Sequence, residues 1–343
     1  MIGFRADANK TIATGHIMRC MTIADALVSL GEEVKFYVAD EETAEFVKNR
    51  DFAYEVLGSD WNNPEGELET LAQKIIEDAI KTLVCDSYSF TKDYFNNLKC
   101  KTDKTVKIVY IDDLCDDIYP VDMLINYNAY AHTLNYEGKY GDSVQLLLGP
   151  MYAPLRPQFA GQYSKNTYGQ RQVLIASGGG DPYGVCLALM EEIAQRKELM
   201  DIDFYVVAGG QTDSDRMVRL AWCSHNIFIE KNVTEMAKLM SQCDVAISAA
   251  GTMLTELCAM KVPAIEYVMA DNQQQNSDYY TSQGLMIDGG DVREDVKAAA
   301  KHMVNELCDL LDDDLRLMDM KKRLAGICDG QGATRIAKEI ICC

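Results

Sequence analysis

A histidine in a position suited to a general base follows the first predicted strand, in the pair Gly15-His16. The apolar face of the first predicted helix begins one residue later, at Ile17. We therefore expect His16 to face away from the core at the carboxyl edge of the sheet. An imidazole, with an unperturbed pKa of about 6.5, can accept a proton at neutral pH. A solvent-exposed histidine with no chemical role fits the same spacing equally well.

The strongest signal for a ligand is the segment 248–256, SAAGTMLTE, in which a strand ends, small residues turn the chain and a helix begins. The small residues Ala250, Gly251 and Thr252 admit a diphosphate to the helix N-terminus, whose dipole favours its charge. Glu256 lies one turn into the helix, where a carboxylate can accept hydrogen bonds from ribose hydroxyls. The alternative is that Glu256 only complements the helix dipole.

A glycine-rich run, residues 177–182 (SGGGDP), follows the first strand of the second half and includes Gly179. Glycines there let backbone N–H groups approach an anion. The run lacks both the spacing of a dinucleotide fingerprint and the Gly-Lys-Ser/Thr of a phosphate-binding loop, so it does not favour NAD or ATP. A plain tight turn is the alternative.

Amide side chains crowd the segment 271–276 (DNQQQN), which follows another predicted strand. Asn272 and Gln273 suit hydroxyl and acetamido groups, because each amide offers both a donor and an acceptor. The alternative is an exposed polar loop with an asparagine cap.

Polar residues also end strands of the first half, in Asp86-Ser87-Tyr88, Asp112-Asp113 and Asn126-Tyr127-Asn128. Paired aspartates often bind metal. Asp112 and Asp113 equally suit orienting His16 or capping a turn, and the sequence leaves these alternatives open.

These segments need a scaffold, and the alternation of short apolar runs with helix-period segments predicts parallel sheets. The predicted strands are 2–5, 34–38, 53–57, 83–85, 106–111, 123–125, 173–176, 204–207, 227–229, 245–248 and 264–267. This pattern predicts an α/β fold with two Rossmann-like, doubly wound domains and a ligand cleft between them. We expect an N-terminal domain at 1–152, a proline-rich linker at 153–171, a second domain at 172–326 and a C-terminal helix at 327–343.

The amino-acid composition argues against several classes of binding partner. Acidic residues outnumber basic ones 53 to 33, and no dense block of Lys and Arg is present, so nucleic acid is a poor partner. The four histidines lie far from one another and from any cysteine pair, which argues against zinc. No signal sequence or membrane-spanning stretch is evident, and the twelve cysteines fit reduced thiols, so we expect a cytoplasmic protein.

The motifs at 15–20 (GHIMRC), 126–131 (NYNAYA), 177–182, 248–256 and 271–276 resemble those of the UDP-2,4-diacetamido-2,4,6-trideoxy-β-L-altropyranose hydrolases of pseudaminic acid biosynthesis. Spore-coat polysaccharide proteins share the resemblance, which covers roughly residues 1–287. It implies the two-domain glycosyltransferase fold (GT-B), with UDP held by the second domain.

By motif, the resemblance implies that His16 is the catalytic base and that Tyr88 and Asn272 are further active-site residues. Gly179, Gly251 and Glu256 match the nucleotide side. We count the remaining candidates as substrate-binding positions: Gly15, Arg19, Asp113, Asn128, Ile229, Ala250, Thr252 and Gln273.

The expected reaction is hydrolysis of a UDP-linked diacetamido sugar, with inversion at the anomeric carbon and without metal or cofactor. UDP departs as a stable anion, so one base that activates water is sufficient. The alternatives are a GT-B glycosyltransferase that uses a UDP-amino sugar and a non-catalytic UDP-sugar sensor. The oligomeric state stays open.

Overall fold

The computed structural model describes residues 1–9, 14–165, 169–208 and 214–343. The chain divides into two compact units, one formed by Met1–Leu155 with Gln331–Cys343 and the other by Arg156–Gly330. The segment 156–165 therefore groups with the second unit, and the end of the chain groups with the first.

Strands and helices alternate along both units, as the sequence predicts. The strands are β1 Ile2–Ala6, β2 Val34–Val38, β3 Ala53–Val56, β4 Thr82–Asp86, β5 Lys107–Ile111, β6 Met123–Asn126, β7 Gln145–Leu148, β8 Arg171–Ala176, β9 Ile202–Ala208, β10 Ile227–Lys231, β11 Val245–Ala249, β12 Ala264–Val268 and β13 Ile287–Asp291. The helices are α1 Gly15–Ser29, α2 Glu41–Lys48, α3 Leu68–Glu77, α4 Lys92–Lys101, α5 Tyr136–Tyr140, α6 Val185–Ile193, α7 Ser214–Cys223, α8 Met236–Gln242, α9 Met253–Met260, α10 Gln274–Ser282, α11 Val296–Leu311, α12 Asp314–Leu324 and α13 Gly332–Cys342.

The first unit is built on a parallel sheet with strand order β3-β2-β1-β4-β5-β6-β7. Apolar clusters cover both faces, one containing α1 and the other containing α3 and α4. The chain order reverses between β1 and β4, and ligands of such sheets bind beyond the carboxyl ends of the strands at this switch point.

The second unit repeats the architecture with the parallel order β10-β9-β8-β11-β12-β13. Its largest core cluster packs α6 and α11 against one face of the sheet. The switch point lies between β8 and β11, the two strands that precede the glycine-rich run and the segment 248–256. The predicted doubly wound α/β class is confirmed.

The eleven predicted strands are present, but β7 and β13 are not among the predictions. Both lie at sheet edges. β13 reads IDGGD, whose two glycines and two aspartates resemble a turn, and β7 is four residues long and directly precedes the proline-rich segment. Edge strands receive less burial, so their sequences carry a weaker apolar signal.

The last helix, α13, packs on α1 within the first unit. Ile336, Ala337 and Ile340 join the same apolar cluster as Ile17. Gly332 lets the start of α13 lie against the backbone of residues 152–153, because a Cβ atom there would lie 2.1 Å from the carbonyl oxygen of Ala153. In the described part of the chain, no helix has the length and hydropathy needed to cross a membrane.

Candidate functional site

His16 lies in the first turn of α1, beside the carboxyl end of β4. Its side chain is 9 % exposed, and its Nδ1 atom lies 2.7 Å from Oδ1 of Asp86, the last residue of β4. His16 therefore lies at the carboxyl edge of the sheet, as expected, but it is buried there, so the alternative of a solvent-exposed histidine is wrong. The side chain is drawn inward because β4 is the direct neighbour of β1 in the sheet.

The charge of Asp86 determines which nitrogen of His16 carries the proton. Burial alone would raise the pKa of Asp86, but the Arg19 guanidinium and His16 together hold it well below its usual range. An ionised carboxylate only accepts hydrogen bonds, so Nδ1 of His16 is the protonated nitrogen. Nη2 of Arg19 lies 3.2 Å from Nδ1, and in this tautomer both are donors, so that contact is no hydrogen bond. The lone pair therefore resides on Nε2.

Arg19 joins the ends of three strands. Its guanidinium contacts both oxygens of Asp86, at 2.5 and 2.6 Å, and Oδ2 of Asp113 at 2.9 Å. It also donates to the hydroxyl of Tyr127 at 2.7 Å, and Tyr127 in turn presents its ring to the guanidinium carbon at 5.4 Å. Burial of its ring is the main reason that the pKa of Tyr127 is raised to about 12, so this hydroxyl stays neutral.

Asp113 accepts hydrogen bonds from three side chains on the exposed side of the polar cluster that contains His16, Arg19 and Asp86. It accepts from Tyr88 Oη at 2.9 Å and from Asn128 Nδ2 at 3.1 Å, in addition to Arg19. Tyr88 is 56 % exposed, and its ring meets that of His16 edge-on with centroids 4.8 Å apart. The structure thus brings together five of the predicted positions, and the two aspartates of the cluster, Asp86 and Asp113, outnumber its one arginine.

Asp112 has a different task from Asp113. Its carboxylate accepts from the backbone N–H of Leu114 at 2.9 Å and from the hydroxyl of Tyr136 at 2.8 Å. It caps the turn after β5 and does not contact His16, whose partner is Asp86. Of the three roles left open for the aspartate pair, turn capping describes Asp112. Within the described ranges, no group of three His, Cys, Asp or Glu side chains is arranged to hold a metal ion.

In the second unit, α9 begins directly after Thr252, and no side chain caps its first turn. Glu256 in that turn has a side chain 16 % exposed and lies 3.3 Å from Nη2 of Arg156. Burial raises the pKa of Glu256, and Arg156 opposes that shift. The charged partner of Glu256 is thus Arg156, 100 positions earlier in the chain. Neither prediction from the sequence, a ribose contact or an interaction with the helix dipole, includes this ion pair.

The amide-rich segment lies beside the small-residue turn. A Cβ atom at Gly251 would come within 3.8 Å of Nε2 of Gln273, and Oε1 of Gln273 accepts from the backbone N–H of Met269 at 2.9 Å. Asn272 is exposed. The asparagine cap of the alternative interpretation is absent among the described bonds, because the residue before α10 is Gln273 and its side chain makes no capping bond.

The glycine-rich run differs from a free anion site. Asp181 accepts from the backbone N–H groups of Val185 at 2.7 Å and Cys186 at 2.9 Å, so a carboxylate of the chain itself occupies the start of α6. Gly179 stays open, with no described atom within 4 Å of a Cβ placed there. Ile229 is half-buried on the edge strand β10, which β9 and β8 separate from β11.

Comparison with solved structures identifies the class of fold. The crystal structure of MurG from Acinetobacter baumannii matches with a TM-score of 0.69 at 12% identity, over 100% of this chain and 99% of that chain. The chain therefore has the two-domain architecture of GT-B glycosyltransferases, as the sequence predicts.

Sequence relatives are more specific. The chain is 24% identical over 287 residues to the UDP-2,4-diacetamido-2,4,6-trideoxy-β-L-altropyranose hydrolase of Campylobacter jejuni, covering 83% of this chain and 97% of the relative. It is 23% identical over 296 residues to the spore coat polysaccharide biosynthesis protein SpsG of Bacillus subtilis, covering 84% of this chain and 83% of the relative. A family model described as a protein of unknown function (DUF354) matches residues 196–323. These findings confirm the resemblance predicted from the motifs.

Proposed function

We propose that this protein hydrolyses a UDP-linked diacetamido-trideoxy sugar at its anomeric carbon and releases UDP and the free sugar. The proposed setting is nonulosonate (pseudaminic acid) biosynthesis in the cytoplasm. The hydrolase name of the Campylobacter jejuni relative supports the reaction class. The buried thiols of Cys20, Cys85, Cys186 and Cys258, none of which is in a disulfide, fit a reducing compartment.

The observation that carries the proposal is the contact between His16 Nδ1 and Asp86 Oδ1, at 2.7 Å. It assigns the proton to Nδ1 and leaves Nε2 as a base, in the arrangement by which an aspartate orients and supports a catalytic histidine. Nε2 forms no hydrogen bond with the described residues, so this atom is available to a water molecule. The ionised carboxylate of Asp86 also stabilises the imidazolium that forms when His16 accepts a proton.

In the proposed step, Nε2 removes a proton from water while the water oxygen attacks the anomeric carbon. The bond between that carbon and the β-phosphate oxygen breaks, and its electron pair leaves with UDP. Attack opposite the leaving group inverts the configuration. UDP is a good leaving group whose charge backbone N–H groups can support, so the step needs neither a carboxylic acid nor a metal.

The second domain is proposed to bind the nucleotide. The uncapped first turn of α9 offers backbone N–H groups to the diphosphate, and the small residues Ala250 and Gly251 leave room for it. Glu256 is proposed to accept from the ribose hydroxyls. Gln273, whose amide lies near Gly251, and its neighbour Asn272 are assigned to the sugar.

Replacing His16 by alanine tests the proposal. With UDP-2,4-diacetamido-2,4,6-trideoxy-β-L-altropyranose as substrate, His16→Ala should lower the rate of UDP release at least about a thousandfold, because the base is lost. The dissociation constant of UDP should change less than about threefold. The matched control is His225→Ala, since His225 is an exposed histidine of the second unit. A His16→Ala protein that retained the wild-type rate would refute the assignment of the base.

A glycosyltransferase is the second candidate, because the fold is shared with MurG. The same assay separates the two functions. A hydrolase releases UDP from the substrate in buffer alone, whereas a transferase stalls until an acceptor hydroxyl is added.

A further inference from the structure

A buried glutamate in the second domain has no role in the reaction described above. Glu266 lies in the middle of β12 and is fully buried. Its neighbours in the strand, Ile265 and Tyr267, belong to the core cluster that contains α6 and α11. Because side chains alternate along a strand, Glu266 points to the opposite face, which α10 covers.

Only one of the two carboxyl oxygens of Glu266 has a partner. Ser277 of α10 donates to Oε1 at 2.5 Å, whereas Oε2 is buried and has no hydrogen-bond partner among the described residues. An ionised carboxylate in such a site loses its hydration and regains a single hydrogen bond. A neutral carboxylic acid tolerates the same surroundings at much lower cost.

The charges around Glu266 act in the same direction. Asp288 faces it from the paired position of β13, and Asp278 follows Ser277 on α10. β11 contributes the buried, uncharged Ser248 at the other paired position. The described residues place no basic side chain against the carboxyl group.

The other elements near Glu266 add no compensating charge. α9 has a single charged residue, Glu256, and that residue pairs with Arg156. The titratable groups that α9 and α10 bury, Cys258 and Tyr280, have pKa values raised by burial and are neutral. α11 packs on the opposite face of the strand, as its membership in the Ile265 cluster shows. Burial, followed by the two aspartates, raises the pKa of Glu266 to about 7.

The helix that Glu266 contacts also presents the amide-rich segment. Gln273 directly precedes α10 and lies beside Gly251, and Ser277 is one turn further along the helix. The described side-chain contacts of α10 with α9 run through Tyr280, whose hydroxyl lies 3.4 Å from Thr255 Oγ1 and also bonds the Cys258 thiol. The Glu266–Ser277 bond is therefore the principal polar attachment of α10 to the sheet.

We propose that Glu266 is a positioning residue: its neutral form holds α10 and the amide-rich segment in place, and its ionisation loosens them as the pH rises above neutrality. The consequence for nucleotide-sugar binding rests on the proposed function, whereas the effect on α10 does not.

The sign of the stability effect follows from the raised pKa. An unfolded glutamate ionises near 4.5, and the folded one near 7, so the folded state retains its proton over the interval between them. The penalty for burying the charge is absent below the lower value, grows through this interval and is complete above the upper one. Glu266→Gln is neutral at every pH and nearly the same shape, so it removes the penalty.

The first experiment compares the melting temperatures of full-length wild type and Glu266→Gln between pH 5 and 8.5 without ligand. The melting temperature of Glu266→Gln minus that of the wild type should increase as the pH rises. The difference should reach about 5 °C or more at pH 8 and stay constant above pH 7.5. Glu294→Gln, the same change at an exposed position, should follow the wild type throughout. A difference between Glu266→Gln and wild type that is constant with pH would overturn the proposal.

The second experiment measures hydrogen exchange of the α10 amides at pH 6 and pH 8 as the ratio of wild type to Glu266→Gln, so that intrinsic exchange cancels. The ratio should already exceed one at pH 6, because the penalty grows between the two pKa values, and should rise several-fold further at pH 8. Ser277→Ala should exchange its α10 amides faster than the wild type at both pH 6 and pH 8, because the bond to Oε1 is lost. An α10 ratio that stays near one would show that Glu266 does not position the helix.

The link to the substrate is tested separately with UDP-N-acetylglucosamine as the probe. Its affinity for the wild type should fall several-fold between pH 6 and 8, with a midpoint near pH 7, relative to Glu266→Gln. If α10 exchange follows pH but the affinity ratio does not, the amide-rich segment is not a sugar-binding element. That result would refute the functional link and leave the proposed base, His16, untouched.

Discussion

Arg5 and Arg19 each join two carboxylates in the first domain, yet the surroundings of the two clusters differ. Arg5 is fully buried within β1; it donates to both oxygens of Glu67, at 2.7 and 2.8 Å, and to Asp7 at 2.5 Å. The hydroxyls of Tyr94 and Ser59 also donate hydrogen bonds to the carboxylate of Glu67. Every charged group of this cluster is bonded to other parts of the protein.

The Arg19 cluster lies at the ends of the strands and contains a titratable ring. Asp86 is as buried as the carboxylates around Arg5, but the set extends outward through Asp113 to the exposed Tyr88. It also holds His16, whose Nδ1 contacts Asp86 and whose Nε2 has no hydrogen bond with the described residues. An arginine bonded to two carboxylates can therefore lie wholly in the interior, as Arg5 does, or belong to a polar cluster at the ends of the strands, as Arg19 does. The difference is that the Arg19 cluster extends to an exposed residue, Tyr88.

The largest expected effect is the loss of the His16 tautomer in Asp86→Asn. Arg19 would bind the single amide oxygen and turn the NH2 group toward His16, which would move the imidazole proton to Nε2. We expect kcat for UDP release to fall about 10³- to 10⁴-fold, by analogy with aspartate-to-asparagine changes in serine proteases, with KM nearly unchanged. Asp25→Asn, at a half-exposed ion pair, is the control and should keep the wild-type kcat. A kcat within threefold of wild type in Asp86→Asn would remove the distinction between the clusters.

Arg5→Met should disrupt the buried cluster of Arg5, Glu67 and Asp7 without affecting the proposed hydrolysis. Removing the arginine leaves Glu67 and Asp7 as uncompensated buried charges, so the free energy of unfolding in urea should fall by about 3–5 kcal/mol. The rate per folded molecule should be unchanged. Arg50→Met, which breaks a partly exposed pair with Asp25, should cost no more than about 1 kcal/mol. Loss of activity in Arg5→Met without loss of stability would show that the Arg5 cluster also belongs to the site.

Tyr88→Phe should have the smallest effect. The substitution keeps the ring against His16 and removes only the hydroxyl that donates to Asp113, which retains Arg19 and Asn128. Loss of one such bond corresponds to about 1 kcal/mol, so we expect kcat to fall less than about tenfold. Steady-state rates of Tyr88→Phe beside Tyr88→Ala, which also removes the ring, measure the two contributions. Equal losses in both variants would assign the whole effect to the hydroxyl.

Much of the fold could be predicted from the sequence, because burial within a strand or helix leaves a local period in the residues. The eleven predicted strands carry that period, including the edge strands β3 and β10, whereas β13, with its Asp-Gly-Gly-Asp, does not. The candidate segments could also be placed, since each follows a strand and parallel strands end at one edge of their sheet. His16, Tyr88, Asp113 and Asn128 were predictable as edge residues on this basis.

Which edge residues meet depends on the order of the strands, and no local pattern encodes that order. β1 lies beside β4, so His16 meets Asp86 from 70 positions away, although Asp112 and Asp113 were the aspartates considered for the role. Arg156 reaches Glu256 across 100 positions because the turn Pro157–Ala160 that follows it packs on α9. By itself the sequence determined two doubly wound domains and the residues at their edges. Tertiary structure alone decided the partners, and with them the tautomer of His16 and the burial of Glu266, because contacts distant in the chain arise from packing between elements.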